Sequence, residues 1–568
     1  MVSAFQKVVD AKRDARARAL ALAGPLSPEH SKYTTATASE IVSHIEKGEW
    51  TASDVLEAYI SRAVLAHETT NCLTEVMFES ARKQAKTLDD EFSATGKLRG
   101  PLHGVPVSIK DQYDIAGVDT SLGFSQWTNK PAKENCSLAD QFITAGAVPF
   151  VKTNVPQTMF AFECSNPLFG RTTNPYNDAY TSGGSSGGEA ALLAMDGSAL
   201  GIGTDVGGSL RIPTAYCGIY ALKPTAGRLS MTGAKGPTPG FEGIKTVSGP
   251  MGRCIDDLEL MCRTSFGVPG NDNNVIPLPF REVELPKTLR FGYYITDNFV
   301  KASPACQRAV LETVEALRKE GHECVEIEIP DNLGAFEIFV GLSSADGYKT
   351  LLSHLGPDPM EKALFLVSLG PSLPSFVRSF ATWVIEKFVG DPIFAHVFRA
   401  ARTKPMNEYM QYCAARDKYI KMFYQEVWDK QGIDGLIAPV QSMPQVPHGT
   451  CENFIAIGEA TTLFNLVDSS VGSLPVTRVD PEKDKITEKW ISEPGHGSTI
   501  LEKGLFTSEK ALYDPEAMKG MPVGIQIAGR RWEEEKVLSM MRVIDEALGK
   551  DRGFGPGSWD RYKAKKSM

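Results

Sequence analysis

Two segments rich in glycine and serine lie close together in the middle of this chain. Residues 181–189 read Thr-Ser-Gly-Gly-Ser-Ser-Gly-Gly-Glu, and residues 203–213 read Gly-Thr-Asp-Val-Gly-Gly-Ser-Leu-Arg-Ile-Pro. Glycine adopts positive φ angles and has no side chain, so the backbone can approach a bound molecule closely at such turns. The first segment runs into Glu-Ala-Ala-Leu-Leu-Ala, which a flexible linker would lack. We therefore expect two ordered turns that present serine side chains to a site.

A lysine ends a short apolar run upstream of these turns. Residues 104–111 read Gly-Val-Pro-Val-Ser-Ile-Lys-Asp, a pattern typical of a strand that ends at Lys110. A serine nucleophile needs a base, and His103 alone of the nine histidines lies near the glycine-rich region in sequence. Burial lowers the pKa of a lysine, and the neutral amine can then act as a base. Lys110 is therefore the candidate base, and a histidine is not required.

These motifs resemble the amidase signature family, whose members hydrolyse amides through a Ser-Ser-Lys triad. The similarity runs from 101–104 to 249–253 and includes Lys-Pro-Thr at 223–225. Residues 153–160 and 164–170 are most similar to fatty acid amide hydrolases. The resemblance implies an α/β fold of the amidase-signature type, in which helices cover both faces of a central mixed β-sheet.

The resemblance also implies the roles of the site residues. Ser209 corresponds to the nucleophile, Ser185 to the serine that relays a proton, and Lys110 to the base. Ser186 is expected to support the relay by hydrogen bonding. Successive N–H groups in a glycine turn can hold the negative charge that develops on a carbonyl oxygen. The expected oxyanion hole consists of the N–H groups of Val206, Gly207, Gly208 and Ser209.

Four neighbouring residues have expected supporting roles. Asp205 and Arg211 are expected to brace the nucleophile loop, and a structural ion pair is favoured over a catalytic role for both. Met159 and Phe160 match positions that line the substrate site in fatty acid amide hydrolases. Flexible methionine beside aromatic rings suits an apolar chain. A core role is an equally open alternative for these two residues.

Three other interpretations of the motifs are weaker. Residues 183–187 satisfy the G-x-S-x-G pattern of α/β-hydrolases, which would make Ser185 the nucleophile, but the strand that should precede that elbow is replaced by the polar residues 174–181. The same glycines lack the Gly-Lys-Ser/Thr of a phosphate loop. Cys217 is favoured as a buried packing thiol over a nitrilase-like nucleophile.

Composition bounds the partners and the domain organisation. A formal net charge of -9 disfavours nucleic-acid binding, because phosphate neutralisation needs clustered lysine and arginine. The ten cysteines show no CxxC pair and no metal-ligand spacing, which predicts reduced thiols, an intracellular, cytoplasmic protein, and neither metal nor cofactor. We expect an N-terminal helical extension over residues 1–30 and one amidase catalytic domain over 31–560, with a helical cap-like insertion at about 360–404.

Local patterns predict individual helices and strands. Thr37 and Thr51 are helix starts, because each is followed by a carboxylate three residues later. Ser303 and the proline after it begin a helix that ends at Gly321, and an alternating strand follows over 325–329. Further strands are predicted at 289–294, 435–440 and 523–528, and a further helix at 532–548.

Residues 363–398 are unusually rich in aromatic and aliphatic side chains. A Gly-Pro-Ser-Leu-Pro break at 370–374 leaves no uninterrupted apolar span of about 20 residues, which disfavours a transmembrane helix and favours a helical hairpin. Apolar surface rimmed by cations suits a membrane interface, although two core helices are an equal alternative. The membrane-binding cap of fatty acid amide hydrolases favours peripheral membrane contact. The charged residues in question are Arg378, Lys387, Arg399, Arg402 and Lys404, against Glu386 and Asp391.

The expected activity is hydrolysis of the C–N bond of carboxylic amides through an acyl-enzyme intermediate. The expected substrates are small-molecule or lipid amides, with fatty acid amides such as N-acylethanolamines or primary fatty amides favoured by the resemblance. A general acetamidase-like amidase, an amidotransferase subunit and a catalytically silent membrane-associated binding protein are the alternatives. The intact Lys110, Ser185 and Ser209 disfavour the silent protein. A homodimer is left open.

Overall fold

Eleven strands form one continuous mixed sheet in the computed structural model, which describes residues 3–567. Two further short strands, β4 and β5 below, form a separate hairpin. In chain order the strands are β1 Leu73–Val76, β2 Pro106–Lys110, β3 Val148–Thr153, β4 Ser165–Asn166, β5 Gly170–Arg171, β6 Leu200–Asp205, β7 Tyr220–Lys223, β8 Val247–Gly252, β9 Arg290–Tyr293, β10 Glu323–Glu326, β11 Gly435–Pro439, β12 Val471–Arg478 and β13 Pro522–Ala528. Across the sheet the order is β1-β3-β2-β6-β8-β7-β12-β13-β11-β9-β10.

Helices surround this sheet within the same described residues. The α-helices, α1 to α22 in chain order, are Ala4–Leu20, Ser31–Thr34, Ala38–Glu46, Ala52–Thr70, Phe78–Thr95, Ser137–Thr144, Gly187–Ala194, Arg211–Cys217, Ile255–Ser265, Pro304–Lys319, Asn332–Ser343, Lys349–Ser353, Phe365–Ser372, Ser375–Val384, Pro392–Ala400, Met406–Phe423, Cys451–Phe454, Glu459–Leu466, Glu488–Ser492, Thr499–Glu502, Glu534–Leu548 and Ser558–Ser567. The α/β fold with a central mixed sheet is thus confirmed.

The two faces of the sheet pack against different helices. A Cβ built at Gly524 of β13 would lie 3.3 Å from the Cβ of Ala215 in α8. A Cβ at Gly472 of β12 would instead overlap Met541 in α21. Gly472 pairs with Ile527, whose side chain points to the face opposite that of residue 524 because side chains alternate along a strand. Helices α8 and α21 therefore cover opposite faces.

The pairing of β2 with β6 creates the edge at which the site lies. These strands run parallel, with Val107 opposite Leu200 and Ile109 opposite Ile202. Parallel neighbours end at the same edge of a sheet, so the residues that follow both strands come together there. All residues of β2 and β6 are buried. Lys110 is consequently delivered to a water-poor edge beside the loop that follows Asp205.

Most of the predicted element starts are confirmed, and one strand prediction needs correction. Thr37 forms the predicted capping box with Glu40, and Ser303 caps α10. The strand predicted over 325–329 lies instead at Glu323–Glu326. It ends early because its neighbour β9 ends at Tyr293, which pairs with Glu326. The alternation of apolar and acidic residues that suggested the strand continues to residue 329, beyond the last residue that pairs with β9.

The predicted cap segment consists of three α-helices and a π-helical turn, Ile385–Val389, between α14 and α15. The helical stretches Lys362–Ser372 and Ser375–Val389 are bent by 110° relative to each other. The two stretches are therefore not antiparallel as in a closed helical hairpin. Among the described residues, no single helix is long and apolar enough to cross a membrane. The alternative of two core helices is wrong for five side chains, because solvent reaches 48% to 75% of their surface. These side chains are Phe376, Phe380, Trp383, Phe388 and Val389.

The N-terminal helix α1 packs onto the body of the fold. Val9 is buried against Leu168 and Phe169, and Arg16 Nη1 donates a hydrogen bond to Leu73 O at 2.6 Å. Residues 1 and 2 of the predicted N-terminal extension lie outside the described residues.

A buried arginine ties segments from both ends of the chain to the centre. Arg253 Nη1 donates to Asp196 Oδ1 at 3.0 Å and to Thr34 O, and Nη2 donates to Ala36 O at 2.6 Å. Asp196 also accepts the Gly557 N–H at 3.0 Å. Both charged side chains are 2% exposed, so neither can recover water if its partner is removed.

Replacing this arginine should therefore destabilise the whole fold. Arg253→Met leaves the Asp196 carboxylate buried without its main partner, which is expected to lower the free energy of unfolding by about 3–5 kcal/mol. Urea denaturation followed by circular dichroism measures this change. Arg263→Met removes a surface arginine that pairs with Glu259, and it should shift the midpoint far less. Equal shifts in the two variants would contradict the structural role of Arg253.

Candidate active site

Lys110 is fully buried and is held by two hydroxyl groups. Its Nζ lies 2.7 Å from Ser185 Oγ and 2.7 Å from Thr204 Oγ1. Burial lowers the pKa of Lys110 to about 7, although the charges of Asp205 and Glu189 oppose this shift. No carboxylate forms an ion pair with Lys110 within residues 3–567. A large fraction of the amine is therefore neutral near pH 7 and able to accept a proton.

Thr204 and Gln112 complete the setting of the lysine. Thr204 Oγ1 donates to Gln112 Oε1 at 2.5 Å, so it faces Lys110 as an acceptor. These neutral partners orient Nζ without the counter-charge that would hold it protonated. Sequence reasoning missed both residues, because Thr204 had no expected role within the second glycine-rich segment and Gln112 lies outside both segments. Their adjacency to Lys110 and Asp205 in sequence was the available signal.

Ser186 joins the two glycine-rich turns. Its N–H donates to Ser209 O at 3.2 Å, and its Oγ accepts the Thr204 N–H at 3.4 Å. The peptide bond between Gly184 and Ser185 is cis. Ser186 thus holds the Ser185 turn against the Ser209 turn, which is consistent with the supporting role expected of it.

Ser209 lies where two cavities meet. It is half-buried and lines both of them. Its Oγ has no hydrogen-bond partner among the described residues, so the structure joins Lys110 to Ser185 and leaves the link from Ser185 to Ser209 unmade. Catalytic hydrogen bonds commonly tighten only when substrate binds.

The predicted oxyanion hole needs one correction. The Gly208 N–H donates to Asp205 Oδ1 at 2.8 Å and so points back towards the strand end, and the φ of Gly208 is 114°. A Cβ at Gly208 would also overlap Thr461, so this position requires glycine. The N–H groups of Val206, Gly207 and Ser209 have no partner within residues 3–567. Three amides, and not four, are available in this geometry.

A buried ion pair fixes the nucleophile loop, as the sequence predicted. Arg211 Nε lies 3.1 Å from Asp205 Oδ2, and both side chains are fully buried. Burial alone would raise the pKa of Asp205, but Arg211 outweighs it and keeps this pKa well below its usual range. Arg211 also donates to Gln526 Oε1 at 2.8 Å and to Asn465 Oδ1 at 2.6 Å. The loop is therefore anchored to distant parts of the chain.

The first cavity beside Ser209 is apolar, with about 1070 Å³ of empty space that includes its mouth. Met159 and Phe160 lie in its wall, and the Phe160 ring packs edge to face on Tyr348 at 5.2 Å. The structure thus brings both predicted substrate residues to Ser209. Sequence reasoning missed the aromatic residues that complete this wall, which come from the loop after β9, from α11 and from α15: Phe299, Phe336, Phe339, Phe394 and Phe398.

The second cavity is more polar, and it shares Ser209, Met159 and Phe160 with the first. Gln112, Ser185 and Thr204 line it near the lysine. Four charged side chains also line it: Lys235, Asp346, Lys349 and Lys404. The nucleophile is therefore accessible both from an aromatic chamber and from a polar one.

The alternative motifs find no support in this geometry. No strand directly precedes Ser185 in the described chain, since β5 ends at Arg171 and α7 begins at Gly187. The Cys217 thiol is fully buried, donates to Ser182 O, and has a pKa raised far above its usual value by burial. The described residues contain no group of three or more His, Cys, Asp or Glu that could hold a metal ion.

Comparison with known proteins defines the class of protein. The amidase family model matches residues 54–538, and the chain belongs to this family of amide-hydrolysing enzymes. The chain is 32% identical to the acetamidase of Emericella nidulans over 538 residues, which cover 93% of this chain and 91% of that protein. It is 33% identical to fatty-acid amide hydrolase 1 of Sus scrofa over 527 residues, which cover 90% of this chain and 86% of that protein.

A solved structure of fatty acid amide hydrolase has the same fold. It superposes with a TM-score of 0.81 at 29% identity, covering 97% of this chain and 91% of that chain. The predicted resemblance to the amidase signature family and to fatty acid amide hydrolases is confirmed.

The setting of Lys110 predicts the pH dependence of amide hydrolysis. A lysine whose pKa is lowered to about 7 is protonated below that pH and cannot act as a base. The rate should therefore rise through about pH 7 and level off about one unit above it. Lys110→Ala should lower kcat/KM by about 100-fold to 10,000-fold and flatten this limb. Lys349→Ala, which removes a lysine from the polar cavity, should keep the limb.

Initial rates with a soluble amide across a buffered pH series measure both variants. A Lys110→Ala enzyme with near wild-type turnover and an unchanged profile would remove Lys110 from the mechanism.

Proposed function

We propose that this enzyme hydrolyses amides of long-chain carboxylic acids through Lys110, Ser185 and Ser209. The observation that carries the proposal is the aromatic cavity that ends at Ser209. Each methylene moved from water into such a wall contributes about 0.8 kcal/mol. Acetamide has one methyl group and would leave most of this space unused. A general small-amide hydrolase is the second candidate, since the identities to an acetamidase and to a fatty-acid amide hydrolase are nearly equal.

The mechanism assigns one role to each group of the triad. Neutral Lys110 accepts a proton from Ser185 Oγ, which takes the proton of Ser209 Oγ as that oxygen attacks the amide carbonyl. The free N–H groups of Val206, Gly207 and Ser209 stabilise the oxyanion. The proton returns through Ser185 to the departing amine, and water then cleaves the acyl-enzyme by the same steps in reverse order.

The two cavities suit the two halves of an amide. The acyl chain occupies the aromatic cavity, because that wall offers little to a polar group. The amine leaves through the polar cavity, where a charged product finds water and side chains such as Asp346. The substrate carbonyl lies between them at Ser209.

Chain length should therefore control the rate of hydrolysis. With amides from acetamide to oleamide, kcat/KM is expected to rise with acyl length. Ala401→Phe adds a ring inside the aromatic cavity and should lower kcat/KM for oleamide by roughly tenfold or more, while acetamide changes little. Chromatographic detection of the released acids measures the series. A maximum at acetamide in the wild-type enzyme would favour the small-amide alternative.

We further propose that the exposed apolar side of the cap, made of Phe376, Phe380, Trp383, Phe388 and Val389, rests on a lipid surface. Phe380 stacks on Trp383 at 5.8 Å and Trp383 meets Phe388 at 5.2 Å, so the rings form one patch. The neighbouring helices α13 and α15 send Val367 and Phe398 into the aromatic cavity. The cap thus separates the patch from the acyl site by one layer of helices.

The cationic rim is weaker than its sequence predicts. Lys387 and Arg399 both pair with Glu386, Arg402 pairs with Glu408, and Lys404 is buried. Arg378 donates to two carbonyl groups of its own segment, Gly370 O and Leu373 O. Apolar contact is therefore the main attraction to lipid, and binding should depend little on anionic headgroups or on salt.

Removing the patch should release the enzyme from membranes without unfolding it. Phe380→Ser, Trp383→Ser and Phe388→Ser together should weaken sedimentation with phosphatidylcholine liposomes and raise KM for long-chain amides in liposomes. The melting temperature and the rate with acetamide should stay close to wild type, because these side chains are exposed. The matched control, Val268→Ser with Ile276→Ser, removes exposed apolar groups elsewhere. A lower melting temperature and equal losses on both substrates would contradict the lipid contact.

A further inference from the structure

One carboxyl group interrupts the aromatic wall of the acyl cavity, and a second carboxyl group, outside this cavity, lies beside it. Glu459, the first residue of α18, lies within hydrogen-bonding range of the Asp297 carboxyl. Asn332 Nδ2 donates to Glu459 and also to Asp297 O at 3.3 Å, which holds the pair in place. Glu459 is 3% exposed and is the one carboxylic acid among the described residues that line the acyl cavity.

The setting of the pair favours protonated carboxyl groups. Burial raises the pKa of both groups, and the Asp297 carboxyl raises the pKa of Glu459 further. A protonated carboxyl group donates a hydrogen bond, and a carboxylate accepts one. The pair can therefore both donate and accept a hydrogen bond.

A third and smaller cavity, the side cavity, adjoins the acyl cavity at Glu459 and is also lined by Asp297. Its room corresponds to about one water molecule. Gln441 and Ser442 line it, are 2% and 5% exposed, and have no partner within residues 3–567 for the Gln441 Nε2 or the Ser442 Oγ. The other end of the Gln441 amide accepts a hydrogen bond from Tyr216, which fixes Nε2 towards the cavity. Buried polar groups usually have hydrogen-bond partners, and a water molecule or a polar group of a ligand can supply them here.

We propose that the side cavity is a subsite for a hydroxyl group on the acyl chain, and that Glu459 determines the preference for hydroxylated chains. A hydroxyl group has the size of one water molecule, and it both donates and accepts hydrogen bonds. It can donate to the carboxyl pair and accept from Gln441 Nε2 or Ser442 Oγ. A cationic substituent fits less well, because it has nothing to offer Gln441 Nε2. The inference rests on the proposed function and names the kind of acyl chain that the site prefers.

A hydrogen bond between α18 and the nucleophile loop fixes the position of this subsite relative to Ser209. Thr461, on the same helix as Glu459, donates through Oγ1 to Gly207 O at 2.7 Å. The position of α18 therefore sets the distance between Ser209 and the side cavity. One position of the hydroxyl group along the acyl chain should consequently be favoured over the others.

A scan of hydroxyl position tests the subsite. Decanamide and its monohydroxy isomers are compared by kcat/KM, and one isomer is expected to exceed decanamide by on the order of tenfold. Glu459→Gln and, separately, Ser442→Ala should bring that ratio towards one. Ser442→Ala removes a hydroxyl group without a partner and so should fold normally. The control Ser343→Ala changes a polar group in the acyl cavity away from the subsite and should keep the ratio.

Equilibrium binding separates this inference from the proposed function. The dissociation constants of decanoic acid and of each monohydroxydecanoic acid are measured with the Ser209→Ala variant, and one hydroxy acid should bind on the order of tenfold more tightly than decanoic acid. The subsite would be overturned if the enzyme hydrolysed decanamide and every hydroxy isomer were a poorer substrate than decanamide. It would also be overturned if Ser442→Ala and Glu459→Gln left the ratio of kcat/KM values unchanged. Failure to hydrolyse any long-chain amide would overturn the proposed function, and the binding ratio would still decide the subsite.

Discussion

The burial of Lys110 without a counter-ion is the constraint on which the site depends. An amine in contact with water remains a cation at neutral pH, whereas one surrounded by β2, β6 and two hydroxyl groups has its pKa lowered to about 7. This requires a sheet that is covered on both faces where its strands end. The glycine-rich turns serve the same purpose, since they bring Ser185 and Ser209 to that edge without bulky side chains.

The nucleophile loop is held by residues that are far away in sequence. Arg211 reaches Asn465 in α18 and Gln526 in β13, and Asp205 in turn holds the N–H of Gly208. The loop geometry that leaves three amides free is thus a property of the whole sheet. The same helix α18 carries Glu459 into the acyl cavity. Catalytic geometry and the shape of the acyl site are therefore mechanically joined.

The sequence predicted those features that local patterns encode. The strand that ends at Lys110 and the caps at Thr37 and Ser303 follow from short-range rules. The family resemblance supplied the fold, the expected triad and the ion pair of Asp205 with Arg211. The end of β10 could not be predicted, because it depends on where the neighbouring strand β9 ends.

Features that arise from tertiary contact could not be predicted either. Thr204 and Gln112 became visible as partners of Lys110 only once β6 lay beside β2. Phe336 of α11 and Phe394 of α15, distant in sequence, line one wall because these two helices pack against each other. Charge counting overestimated the cationic rim of the cap, since it does not show that Lys404 is buried.

Activation of Ser209 by Lys110 through Ser185 can be tested directly by labelling with a fluorophosphonate, because this probe marks the nucleophile. Peptide mapping should find the label on Ser209, no label in Ser209→Ala, and slow residual labelling of Ser209 in Ser185→Ala. A label on Ser185 in the wild-type enzyme would contradict it.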